Sequence, residues 1–134
     1  MKVKCIGNSG NDLSSITLAS GHLQTTKFSL KIEEIYMVYG ISVWKGIIHY
    51  LTMDKFNTVP SWYPAELFII IDNLLPIEWY YKYFNSNKYF DVSALWGYKE
   101  LVLDENHYDD LIERKAEAIT VFLNRKKEID EYMD

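Results

Sequence analysis

A chain of 134 residues, 49% hydrophobic and 25% charged, is long enough for one packed core and too apolar for disorder. Its net charge of −5 speaks against direct nucleic-acid binding, because phosphates require Lys and Arg to neutralise them. The single cysteine, Cys5, excludes an intramolecular disulfide. No apolar run reaches the roughly 18 residues of a membrane span, and Met1 to Ile6 is too short and polar for a secretory signal, so a reducing cytoplasm is expected.

Residues 2–6 alternate and are β-prone, which predicts a first strand with Cys5 as a buried, inert thiol. Gly7 to Asp12 is a turn cluster; its G-x-x-G spacing lacks the Gly-Lys-Ser/Thr of a phosphate loop. Ile16 to Leu18 predicts a short strand, and Gly21 to Thr26 a polar loop. Ile32 to Val43 is the clearest β segment, with Gly40 marking a bulge or a close backbone approach. Trp44-Lys-Gly46 reads as a hairpin turn into a second strand, Ile47 to Met53. Pro60-Ser-Trp-Tyr-Pro64 is confined by its prolines to an edge strand or a loop presenting Trp62 and Tyr63. Leu67 to Asp72 predicts a buried strand.

Leu75 to Phe84 predicts a short helix with Pro76 in its first turn, and Asn85 to Lys88 a loop. Ser93 to Leu103 predicts a strand region that Gly97 lets kink. The C-terminal part predicts one helix broken near Lys115, or two helices. Asp104 or Asn106 would cap it, and Asp109, Asp110 and Glu113 would lie at its positive end. The expectation is one domain over 1–134: a β-rich part over about 1–72, an aromatic-rich connection and strand over 73–103, and a helical part over 104–134. The class is α+β, a small barrel or strongly bent antiparallel sheet with the C-terminal helix packed on it.

Charge is uneven. Residues 1–90 carry 8 lysines and 7 acids, whereas residues 91–134 carry 6 basic and 12 acidic residues. The second part therefore suits a basic partner, although a solvated helix face gives the same excess. A metal at Asp104-Glu-Asn-His-Tyr-Asp-Asp110 would use His107 and its acidic neighbours, but a helix start explains the same acids without one. No EF-hand, nucleophile elbow or cofactor motif is present. The chain is expected to need neither metal nor cofactor and to have no catalytic site. His49, alone on its strand, would need a second histidine for acid–base hydrolysis. The 11 tyrosines and 4 tryptophans exceed what a small core needs and suit protein contact, with strand packing as the alternative for at least half of them.

Tyr36-Met-Val-Tyr-Gly40, Gly46 with Tyr50-Leu51, Pro60 to Pro64 with Leu67-Phe68 and Asp72, and Trp96 to Val102 with Asp104-Glu105, His107-Tyr108 and Leu111 to Arg114 carry a resemblance. From about residue 30 onward the chain resembles bacterial immunity proteins of contact-dependent growth inhibition and other polymorphic-toxin systems. That resemblance implies an SH3-like β portion with an appended helix. It also implies a role in neutralising one cognate toxin domain, such as a nuclease, by covering its active site, and no catalytic residues. The expected charge partners are Asp104, Glu105, Asp109, Asp110, Glu113 and Glu117, with Trp62, Tyr63 and Trp79 as aromatic anchors. The rival functions are a phage or mobile-element regulator binding a host protein, and a small histidine-dependent hydrolase or nuclease.

Overall fold

The computed structural model describes residues 1–84 and 91–134. The strands are β1 (Lys2–Cys5), β2 (Ile35–Met37), β3 (Gly40–Trp44), β4 (Ile47–Thr52), β5 (Ser61–Pro64), β6 (Phe68–Asp72), β7 (Tyr80–Tyr83) and β8 (Val92–Gly97). The helices are α1 (Ser15–Ala19), α2 (Lys99–Leu103), α3 (His107–Ile112) and α4 (Ala116–Met133). The fold is α+β. The strands form two open antiparallel sheets, ordered β2-β1-β6 and β5-β4-β3-β8-β7, and no closed barrel is found among the described residues.

The five-stranded sheet is a middle layer. Along β4, Tyr50 joins a core shared with Val3, Tyr36, Leu67 and Phe68 of the first sheet's side. Its neighbour Leu51 joins a second core shared with Leu101, Leu111, Phe122 and Ile129 of the helices. Alternate side chains of a strand point to opposite faces, so a strand covered on both sides is buried throughout. Tyr50, Leu51 and Thr52 are accordingly all buried. Ala118, Phe122, Ile129 and Met133 form the buried stripe of α4 at helical spacing.

The expected strand over residues 32–43 is divided between the two sheets. The Val38 amide donates to Met1 O at 3.0 Å and the Tyr39 amide to Leu51 O at 2.8 Å, so adjacent residues pair with different sheets. The turn at Lys45-Gly46 is a tight hairpin with φ of 50° and 77°, the paired positive values of a type I′ turn. Gly40 faces Gly97 across β3 and β8. A Cβ on either glycine would stand 2.6 or 2.7 Å from Leu101 Cδ2, so the close approach expected at Gly40 is present. The break expected near Lys115 separates α3 from α4, with Arg114 at φ 60°. Cys5 is buried, and its thiol donates to Gly7 O at 3.1 Å; burial pushes its pKa up.

Four local expectations are corrected. Residues 15–19 form a helix, not a strand, because Ser14 caps it by accepting from the Thr17 amide and Glu66 receives the Ser14 amide at 2.8 Å. Residues 80–83 form a strand where a helix was expected; the tyrosines there pair with β8, following their β propensity. The strand expected over 93–103 ends at Gly97, and Lys99 to Leu103, which are strong helix formers apart from Val102, turn into α2. β6 is an edge strand whose Ile69, Ile70 and Ile71 are 43–52% exposed, so only its first residue, Phe68, and the preceding Leu67 are buried. The loop expected at Asn85–Lys88 lies outside the described residues.

Candidate functional site

The acidic residues singled out in the sequence do not form one cluster. Asp104, Glu105 and Asp109, from the α2–α3 junction and the first turn of α3, line a groove of about 480 Å³ with Lys82 of β7. All three are exposed. The Asp104 carboxylate accepts from the Asn106 amide at 3.0 Å, which shapes the turn. Asp110 and Glu113 are both engaged by Lys115, at 3.1 and 3.3 Å. Glu117 is exposed in the first turn of α4. β7 borders the groove, and its Tyr80, Tyr81 and Tyr83 are all exposed.

The aromatic residues also separate. Tyr63 is a core residue: it packs edge-on against Phe28 and Phe68 in the core between the sheets. The expectation that it anchors a partner is therefore corrected. The cause is strand alternation, which turns Tyr63 inward and its neighbour Trp62 toward the helices. Trp79 is half-buried and lines a groove of about 890 Å³ with Arg125, Glu128 and Tyr132 of α4. Its indole N–H is buried without a partner.

Trp62 lines a third cavity, of about 340 Å³, between β3–β5 and the end of α3. Trp44, Leu51 and Tyr108 supply its apolar walls, and His22, Ser42, His49, Ser61 and Arg114 its polar groups. The His22 and His49 rings lie 6.4 Å apart between centroids. His49 is 5% exposed, and its Nδ1 lies 2.9 Å from Ile47 O. A carbonyl only accepts, so Nδ1 carries the proton and the Nε2 lone pair is left free. Burial, helped by His22, holds the His49 pKa below the ordinary histidine value. The sequence places these histidines 27 residues apart, one in a loop, and contains no signal that they meet.

His107 has a structural partner. Its Nε2 lies 2.7 Å from the Tyr98 hydroxyl in the helix-side core. Burial raises the phenol's pKa and lowers the imidazole's, so the neutral phenol donates to the neutral ring. Among the described residues no group of three or more His, Cys, Asp or Glu could hold a metal ion, and none of the helices is long and apolar enough to cross a membrane.

Comparison with protein-family models, with curated proteins and with solved structures finds no match to this chain.

Proposed function

We propose that this protein is an immunity protein that binds a cognate basic toxin domain and covers its active site. The observation that carries this reading is the groove at the α2–α3 junction. There, three exposed carboxylates, Asp104, Glu105 and Asp109, stand beside Lys82 of β7, a strand whose Tyr80, Tyr81 and Tyr83 are exposed around it. Exposed Tyr side chains supply contact area at low entropic cost. Carboxylates at the rim speed association with a basic surface such as a nuclease's phosphate-binding cleft. Asp110 and Glu113 contribute less, because Lys115 already neutralises them locally.

The test is co-expression of the tagged protein with the C-terminal domain encoded immediately upstream, scoring complex formation and growth. A stable complex with rescued growth is expected, and the absence of both overturns the reading. Replacing Asp104→Asn, Glu105→Gln and Asp109→Asn together should weaken the complex about 10- to 100-fold at low salt and flatten its salt dependence. Unchanged affinity and unchanged salt dependence in that variant would show that the toxin is bound elsewhere.

A further inference from the structure

We infer that the cavity between β3–β5 and the end of α3 is a binding site for a small aromatic carboxylate. Its volume, about 340 Å³, is that of a small-ligand pocket. Two indoles and a phenol give it flat apolar walls: Trp44 stands edge-on to His49 at 5.6 Å, and Trp62 lies 5.5 Å from Tyr108 between ring centroids. Such walls suit a planar ring.

The polar groups select the ligand's charge. The chain has 19 acidic residues, yet none lines this cavity. Among the described residues Arg114, which is exposed at the cavity's edge, is the only lining residue with a permanent charge. It makes no ion pair among the described residues, and its backbone is held at φ 60°. The indole Nε1 of Trp62 and the Nε2 of His22 are buried without partners. A buried N–H left unpaired is unfavourable, and a carboxylate oxygen bonded to the Trp62 N–H would remove that cost. The free Nε2 lone pair of His49 accepts a donor on the ligand, such as a ring N–H or hydroxyl. Apolar walls, one cation and an unpartnered indole donor together describe a receptor for an aromatic acid. Neither a nucleic acid nor a cationic ligand fits that set.

The site does not depend on the proposed toxin, so the test uses the isolated protein. The probes are indole-3-acetate and 4-hydroxybenzoate, with indole-3-acetamide as the uncharged control. The readout is the indole N–H signals in ¹H–¹⁵N spectra, the Trp62 peak being assigned by its loss in Trp62→Phe. Indole-3-acetate should shift the Trp62 and Trp44 peaks with a Kd of about 0.1–1 mM, the range for ligands of this size. The acetamide, and the acetate on Arg114→Gln, should each bind about tenfold more weakly, as expected for loss of a charge-assisted contact. Trp62→Phe keeps the wall and removes the donor, and should weaken binding of the acetate, read at the Trp44 peak. The inference is overturned if neither acid shifts these peaks, or if amide and acid bind equally. It is also overturned if Zn²⁺ alone perturbs the His22 and His49 rings while the aromatic acids leave the cavity untouched.

Discussion

Leu101 shows how single residues set the spacing between layers. Gly40 and Gly97 face one another in the sheet, and the Leu101 side chain fills the notch they leave. An added methyl at Gly40 would stand 2.6 Å from Leu101 Cδ2, closer than real carbon contacts allow, while Leu101 itself is 1% exposed and cannot swing into solvent. Gly40→Ala should therefore cost about 1–3 kcal/mol through overpacking. Leu101→Ala should cost about 2–5 kcal/mol through the cavity it opens. The two changes are complementary in volume, so the double variant should be less destabilised than the sum, with a coupling of about 1–2 kcal/mol. Urea midpoints of the four proteins measure this, and strict additivity would show that Leu101 does not occupy the notch. The glycine was legible in the sequence as a site of close approach. Its partner was not, because Leu101 belonged to a segment that reads as strand and folds as helix.

At the scale of elements, α4 is held to α2 by one forked ion pair. Arg125 Nε lies 2.7 Å from Glu100 Oε1, and its Nη2 lies 2.8 Å from Oε2, with both side chains roughly 70% buried. The same guanidinium also reaches Glu128 at 3.0 Å. Arginine beside Glu100 holds its carboxyl below the usual glutamate range. Lysine cannot reproduce the two parallel bonds, so Arg125→Lys should lose most of the interaction, about 1 kcal/mol. Equal urea midpoints for Arg125→Lys and the parent would show that a point charge suffices. The elements that read correctly from the sequence are those fixed by local chemistry. These include the Lys45-Gly46 turn, the proline-bounded edge strand β5 and the apolar stripe of α4. Two that misread depend on distant partners. The segment over 32–43 changes sheet because Met1 and Leu51 offer competing carbonyls to consecutive amides. The isoleucines of β6 look interior by composition and are exposed because the three-stranded sheet ends there. The candidate site divides in the same way. The acidic groove was visible as a charge excess, whereas the His22–His49 cavity is assembled by tertiary contact alone.

For the whole molecule, the two buried histidines set how stability responds to acid. His49 and His107 are 5% and 4% exposed. Burial is the largest influence on both, and for His107 it outweighs the opposing pull of Asp104, Glu100 and Asp110. Both pKa values are thus lower in the folded protein than the ordinary 6.5. As pH falls below that value, the unfolded chain takes up protons that the folded chain refuses, so the unfolded state gains stability. The histidine contribution is fully present above pH 6.5 and is lost as pH falls toward the folded values. Each group adds a slope of at most about 1.4 kcal/mol per pH unit inside its window. The carboxyls of Glu66 and Glu100 are also shifted down, from an ordinary 4.5, so their contribution is lost at lower pH. Unfolding free energy should therefore fall measurably between pH 7 and pH 5. His107→Gln keeps an oxygen to accept the Tyr98 hydroxyl and cannot titrate, so its stability should depend less on pH over that range. A parallel pair of curves, from urea unfolding at half-unit pH steps, would mean that His107 is protonated equally in both states and that its bond to Tyr98 does not hold it neutral.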